Sequence, residues 1–255
     1  MSIGKTLATL FLAGAALTQS AKAGLIYTED FSSDPHWATD QPQNFHWDEE
    51  SGAFFASMSN SSPQYAPNRF AYTPIDWNGE PFKLQWDSMI TRSDWSAGIN
   101  FGLFDNNLNY QRANTLNIEY TNPDAGRGFT IFAFTPQGSA YQNNWAGFEL
   151  GRWQTNILEY NPNENLIEYQ VSNRDTGELL VDTSLTVNGT FSPEMDLLGF
   201  SRYPMGQSNT AGYNPNGTTS GYIDNIKFQI VPEPATAALA LTGLAALLAR
   251  RKPKE

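Results

Sequence analysis

Aromatic side chains beside polar residues are the part of this sequence best suited to chemistry, and the chemistry they suit is sugar binding. Rings of Trp and Tyr stack on the apolar C–H faces of a sugar, while Asn, Gln and Asp side chains bond its hydroxyl groups. The segment from Tyr141 to Trp145 combines both kinds of residue, and aromatic residues make up 13% of the chain. Trp77 and Trp86 are interpreted as core residues instead. We predict a carbohydrate-binding site from Trp95, Tyr110, Tyr141, Trp145 and Trp153.

Charge and composition exclude several kinds of site and partner. The chain of 255 residues carries 15 basic and 26 acidic residues, so its net charge at pH 7 is −11. An acidic surface repels phosphate backbones, which argues against nucleic acid as a partner. No cysteine occurs, so thiol catalysis, cysteine-based zinc sites and iron–sulfur clusters are excluded. A neutral polymer such as a polysaccharide, or a calcium ion, is compatible with this surface.

The central part of the chain has the two-residue periodicity of β-strands. Apolar and polar residues alternate in 97–103 and 116–120, and 129–134 is almost continuously apolar, as in a strand covered on both faces. Residues 173–177 have the composition of a hairpin turn, with Gly177 available for a positive φ. From about a dozen such segments we predict an all-β fold, an antiparallel two-sheet jelly-roll sandwich spanning residues 24–230.

The two ends of this predicted domain carry a family resemblance. It opens with Tyr27-Thr-Glu-Asp-Phe-Ser32 and closes with Gly221-Tyr-Ile-Asp-Asn-Ile-Lys-Phe228. The pattern resembles concanavalin A-like lectin and glucanase sandwiches, including laminin-G-like modules. It implies that the first and last strands pair and share a structural Ca²⁺, an ion that suits carboxylate and carbonyl oxygens. The implied ligands are Glu29, Asp30 and Asp224; the alternative is that they are solvated strand-end carboxylates.

Recognisable catalytic arrangements do not occur in the sequence. Retaining glucanases of the resembling fold carry Glu-x-Asp-x-Glu on one strand, where the period of two puts all three carboxylates on one face; this pattern is absent. The two histidines, His36 and His46, are ten residues apart and form no His-Glu-x-x-His zinc pair. No Gly-x-Ser-x-Gly elbow occurs either. We therefore predict no catalytic residue, while a carboxylate pair formed across strands stays open.

Residues 1–23 have the three parts of a secretory signal peptide. Lys5 gives the positive start, residues 6–17 form a short apolar stretch, and Ala21 and Ala23 flank Lys22 as a small-x-small cleavage site. We expect cleavage after Ala23, which makes Gly24 the first residue of the mature protein.

Residues 231–255 have a second three-part pattern. Pro232, Glu233 and Pro234 precede an apolar stretch over 235–249, and Arg250 and Arg251 follow it. Basic residues behind a short apolar helix hold the C-terminus in the cytoplasm. The pattern resembles the PEP-CTERM sorting signal. The resemblance implies processing by an exosortase, transient inner-membrane anchoring, and a final place at the surface or in the extracellular matrix of a Gram-negative bacterium that makes exopolysaccharide.

Three functions follow from these observations. The first is a non-catalytic, surface-sorted β-sandwich that binds exopolysaccharide or is embedded in the matrix. The second is a polysaccharide hydrolase or lyase on the same fold. The third is a structural adhesin with protein partners. Because the catalytic arrangements named above are absent, the sequence favours the first.

Overall fold

The computed structural model describes residues 24–59, 71–94, 98–105, 114–121, 128–144, 149–201 and 217–231. Within them, regular structure consists of fifteen strands, numbered β1 to β15 along the chain. The predicted signal peptide and the Pro-Glu-Pro segment with its apolar and basic tail lie outside the described residues and stay predictions. Within the described part, the structure has no helix with the length and apolar character needed to cross a membrane.

Eight strands form an antiparallel sheet, called sheet 1, in the order β13-β12-β11-β6-β15-β4-β3, with β1 also paired to β15. The pairing of the first strand with the last confirms what the resemblance implies. The bounds of sheet 1 are β1 (Leu25–Glu29), β3 (Phe45–Asp48), β4 (Ala53–Ser59), β6 (Phe82–Arg92), β11 (Gln154–Asn161), β12 (Leu166–Asn173), β13 (Leu179–Thr186) and β15 (Thr218–Ile230).

Seven strands form a second antiparallel sheet, called sheet 2, in the order β10-β9-β8-β7-β14-β5-β2. Its bounds are β2 (Ala38–Thr39), β5 (Ala71–Pro74), β7 (Ile99–Phe104), β8 (Thr115–Thr121), β9 (Gly128–Thr135), β10 (Gly138–Asn144) and β14 (Leu197–Ser201). Two antiparallel sheets packed face to face confirm the predicted jelly-roll sandwich.

Aromatic side chains fill the space between the sheets. The ring of Trp86, from sheet 1, lies 5.2 Å from that of Phe101 in sheet 2, and Phe101 lies 5.2 Å from Phe200 on the neighbouring strand. Trp77 and Trp86 are both buried in this core, which confirms their interpretation from the sequence. Burial of such large rings supplies most of the driving force for packing the two sheets together.

A buried polar network crosses the core and joins the sheets. The amide oxygen of Asn156, on β11, accepts hydrogen bonds from the hydroxyls of Tyr120 (3.2 Å) and Tyr169 (2.7 Å). Its amide nitrogen donates to the Ser88 hydroxyl, and the Trp86 indole donates to Tyr120. Buried polar groups need such partners, because an unpaired one loses its hydration without compensation. The network therefore fixes the position of β8 over sheet 1.

Two local predictions have different outcomes. The hairpin between β12 and β13 is present: the amide of Gly177 donates to the Asn173 carbonyl, and Gly177 has the positive φ of 71° that the turn requires. For 129–134, burial on both faces is wrong for part of the strand. Phe132 and Phe134 are only half-buried, because they point away from the core, where β9 approaches the edge of sheet 2.

Candidate functional site

The outer face of sheet 2, turned away from the core, carries polar side chains that are nevertheless buried. On β8, Leu116, Ile118 and Tyr120 belong to the core. Successive side chains of a strand point to opposite faces, so Asn117 and Glu119 point outward. They are only 3% and 1% exposed, which is unusual for a carboxyl or amide on the outside of a sheet.

Strand register aligns four polar residues across four neighbouring strands, a set we call the polar row. Asn100 on β7 pairs with Glu119 on β8, Glu119 pairs with Thr130 on β9, and Thr130 pairs with Asn143 on β10. The Thr130 hydroxyl donates to the Asn143 amide oxygen at 2.9 Å. Asn100, Glu119 and Thr130 are buried and Asn143 is exposed. The polar row thus leads from a buried carboxyl to open surface.

Three oxygen atoms in and beside the polar row lack a hydrogen-bond donor in the described structure. They are Oδ1 of Asn100, Oδ1 of Asn117 and Oε1 of Glu119. Buried polar atoms without partners are rare in folded proteins, and each leaves a hydrogen bond to be made by something else.

Burial also changes the acidity of Glu119. Because the carboxylate form is desolvated, the pKa of Glu119 rises from 4.5 to about 8. A carboxyl with a pKa near the working pH exists in both protonation states there, so it is able both to take up and to release a proton. Carboxyls perturbed in this way are frequent in catalytic sites.

Gly98 leaves the room that the Glu119 side chain occupies. A Cβ atom placed on Gly98 would lie 2.7 Å from both Cγ and Cδ of Glu119. Any larger residue at position 98 therefore has to displace the carboxyl group. Gly98 and the Glu119 side chain are therefore packed directly against each other.

Of the five predicted sugar-binding residues, the structure describes two, and these lie on or beside different sheets. Trp95, Tyr110 and Trp145 lie outside the described residues. Tyr141 lies on β10, next to the polar row and 67% exposed. Trp153 lies just before β11 of sheet 1, and the guanidinium of Arg174 covers its ring at 4.5 Å from the centroid. Of the two described residues, Tyr141 lies beside the polar row.

The predicted calcium ligands engage other partners. Glu29 accepts from the amide of Phe31 and Asp30 from that of Ser32. Asp224 accepts from Asn225, lies 3.8 Å from the Arg174 guanidinium, and has a pKa raised mainly by burial. Within the described ranges, no group of three or more acidic or histidine side chains is arranged to hold a metal ion. The calcium ion therefore stays a prediction from the resemblance, and no step below depends on it.

Solved structures share this fold. A marine alginate lyase of family PL-14 from Aplysia kurodai matches with a TM-score of 0.57 and 13% identity, over 82% of this chain and 100% of that one. A non-specific endo-β-1,3(4)-glucanase of family GH16 matches with a TM-score of 0.51 and 8% identity, over 84% and 92%. No protein-family model matches the chain, and no curated protein matches it in sequence. At these identities the likeness shows the fold alone, a jelly-roll sandwich that this alginate lyase and this glucanase also adopt.

These likenesses correct the functional prediction made from the sequence. A non-catalytic binding module was the favoured function, and it is contradicted, because the alginate lyase and the glucanase that share the fold are polysaccharide-degrading enzymes. They support the alternative, a hydrolase or lyase. The sequence argument relied on motifs whose residues lie close together in the chain. The outer-face site instead combines residues from four strands, and its signal in the sequence was the outward Asn117 and Glu119 of an alternating strand.

Proposed function

We propose that this protein is a polysaccharide lyase that cleaves a uronate-containing polymer on the outer face of sheet 2, with Glu119 as the proton-transfer group. The observation that carries the proposal is Glu119 itself: a fully buried carboxyl on an outer face, with Oε1 unpartnered and a pKa of about 8. Fold likeness alone does not establish an activity. The alginate lyase that shares the fold over its whole length is consistent with the proposal.

The site residues supply the parts that an elimination needs. The Glu119 carboxylate removes the proton from the carbon next to the uronate carboxylate. The bond from the adjoining carbon to the leaving sugar oxygen breaks, its electron pair stays on that oxygen, and a carbon–carbon double bond forms. Glu119, now neutral, returns the proton to the leaving oxygen. The raised pKa makes its carboxylate a stronger base than an exposed one, which favours abstraction of a weakly acidic C–H proton.

The neighbours of Glu119 suit a sugar chain. Asn100 and Thr130, which flank it in the polar row, are uncharged hydrogen-bonding residues. The amide oxygens of Asn100 and Asn117 are enclosed and lack donors in the described structure, and in this proposal substrate hydroxyls supply those donors when the polymer enters the site. Such contacts orient the sugar, and orientation of the reacting atoms is itself a large part of catalysis.

A hydrolase is the second candidate, because the glucanase likeness favours it. In that reaction Glu119 acts in its neutral form, as the acid that protonates the leaving oxygen, and a second carboxylate is required. The two candidates predict opposite effects of pH. A base requires ionised Glu119, so the rate rises through pH about 8, whereas an acid requires neutral Glu119, so the rate falls there.

The test is a product assay with the purified full-length chain on alginate and on a β-1,3(4)-glucan. Elimination produces new reducing ends together with ultraviolet absorbance from the unsaturated product. Hydrolysis produces reducing ends alone. We expect both signals with alginate. Reducing ends without absorbance would make the protein a hydrolase, and neither signal in either polymer would contradict a polymer-cleaving function for these substrates.

The two end segments support a proposal about where in the cell the enzyme acts. The signal-peptide pattern of residues 1–23 and the Pro-Glu-Pro tail support export and exosortase sorting to the cell surface, where exopolysaccharide is the polymer at hand. Mass spectrometry of the exported protein tests this, because processing at both ends removes residues before Gly24 and residues from the tail. An unprocessed exported chain would contradict it.

A further inference from the structure

We propose that Phe132, Phe134 and Tyr141 form an aromatic platform that binds a sugar ring of the same polymer, beside the sugars on which Glu119 acts. This inference rests on the proposed function for the identity of the polymer. It assigns these three residues to substrate positioning, outside the chemical step.

The three rings share one face of two paired strands. Phe132 and Phe134 are outward neighbours on β9, alternating with the buried Ile131 and Ala133. Their rings are nearly parallel, at 10°, with centroids 6.1 Å apart. Tyr141 on β10 pairs directly with Phe132. All three rings therefore lie on the outer face of sheet 2.

Packing of the core does not explain why Tyr141 is present on this surface. Its side chain is 67% exposed, so its ring contributes little to the core. The other large apolar side chains exposed in the described part of the chain, Leu25 and Leu179, lie in sheet 1. An exposed ring beside a site has its apolar faces available to a ligand, as aromatic residues in binding surfaces do.

The platform continues the outer-face site without a break. Asn117, with its free amide oxygen, pairs with Phe132, which pairs with Tyr141. Neighbouring strands are about 4.8 Å apart, so Asn117 and Tyr141 are separated by ~10 Å across the sheet. A polymer that lies across the strands therefore contacts the site and the platform together.

The combination of aromatic rings with neighbouring amide and hydroxyl groups favours a sugar as the ligand. Next to the rings, the polar row ends in the Thr130 hydroxyl and the exposed amide of Asn143. A sugar ring presents an apolar face bordered by hydroxyl groups, which matches rings bordered by amide and hydroxyl groups. An apolar protein surface would leave this polar border unpaired.

The experiment measures binding separately from cleavage. Binding is measured by affinity electrophoresis in gels containing alginate or the β-1,3(4)-glucan, with Glu119→Gln in every variant so that the polymer is not degraded. Tyr141→Ala removes the exposed ring and Tyr141→Phe keeps it. Leu179→Ala is the matched control, since it removes an exposed apolar side chain from sheet 1. Kinetics are measured with the same substitutions in the chain that retains Glu119.

We expect Tyr141→Ala to weaken retention by the polymer about three- to tenfold, the factor that corresponds to one aromatic contact. Tyr141→Phe and Leu179→Ala should leave it unchanged. In the kinetics, Tyr141→Ala should raise KM by a similar factor with kcat unchanged, because the platform binds substrate and transition state equally.

The outcomes separate this inference from the proposed function. Cleavage by the unsubstituted chain, with Tyr141→Ala equal to Leu179→Ala in retention and in KM, overturns the platform and leaves the function standing. Retention that depends on Tyr141 without any cleavage supports the platform and overturns the function. Neither cleavage nor retention in either polymer overturns both.

Discussion

Glu119 and Tyr120 are consecutive on β8 and point to opposite faces of sheet 2. The Tyr120 hydroxyl enters the core, where it accepts from the Trp86 indole and donates to Asn156. Glu119 lies on the outer face, buried and with Oε1 unpartnered. Tyr120 is thus held by hydrogen bonds in the core, whereas Glu119 keeps an acceptor oxygen without a donor. The core network thus holds in place the strand that presents the candidate catalytic group.

Ionisation of Glu119 should control the rate of alginate cleavage. The pKa of about 8 means that the carboxylate, the form that acts as base, accumulates only as pH approaches 8. We expect kcat/KM to rise with pH up to about 8 and then level off. Initial rates followed by the absorbance of the unsaturated product check this. A rate that falls through the same range would assign Glu119 the role of acid.

The same group should make stability depend on pH. The pKa of Glu119 is higher in the folded protein, about 8, than its ordinary 4.5. Between these values the unfolded chain binds fewer protons than the folded protein, so the free energy of unfolding decreases as pH rises. Urea unfolding near pH 4.5 and near pH 8 measures the change. The Glu119→Gln variant should lose this contribution, and an identical pH dependence in both proteins would exclude Glu119 as its source.

Gly98→Ala should impair catalysis without unfolding the protein. The added Cβ would lie within 2.7 Å of the Glu119 side chain, and a flexible side chain moves at lower cost than a strand does. We expect kcat to fall by roughly a hundredfold, as displacement of a reacting group by about 1 Å does, while the melting temperature changes little. Gly177, exposed in the β12–β13 hairpin of sheet 1 with open space around it, gives a control: Gly177→Asn should leave kcat unaltered. Equal kcat values for Gly98→Ala and the unsubstituted chain would show that the carboxyl position is unimportant.

Asn156→Ala should destabilise the whole sandwich. The substitution leaves the hydroxyls of Tyr120, Tyr169 and Ser88 without their common partner in the core. Each unsatisfied buried group costs about 1–3 kcal/mol, so we expect a loss of about 3–5 kcal/mol in the free energy of unfolding. Urea denaturation measures it. Because Tyr169→Phe removes one donor and leaves the remaining bonds intact, it should cost clearly less; equal losses would mean that Asn156 does not organise the network.

Much of the fold was predictable from the sequence because side-chain alternation is a local property. The pattern of 116–120 correctly assigns Leu116 and Tyr120 to one face and Asn117 and Glu119 to the other. β10 was missed because Ser139, Gln142 and Asn143 give it no apolar stripe, although it carries Tyr141. Strands without that stripe are recognised only when their partner is known.

The candidate site was not predictable because it depends on register between distant strands. Nothing local shows that Asn100, on β7, pairs with Glu119, or that Glu119 pairs with Thr130. A shift of one residue in either pairing would send these side chains to the other face. The burial that raises the pKa of Glu119 is likewise a property of the assembled sheets.

The most direct test of the central claim compares the unsubstituted chain with Glu119→Gln on alginate. Glutamine has nearly the same shape and cannot take up or release the proton, so fold and polymer binding should persist. We expect the formation of unsaturated product to fall by at least about a hundredfold, the usual contribution of a general acid–base group, with retention in alginate gels unchanged. Undiminished cleavage by the Glu119→Gln variant would contradict the assignment of Glu119 and, with it, the proposed site.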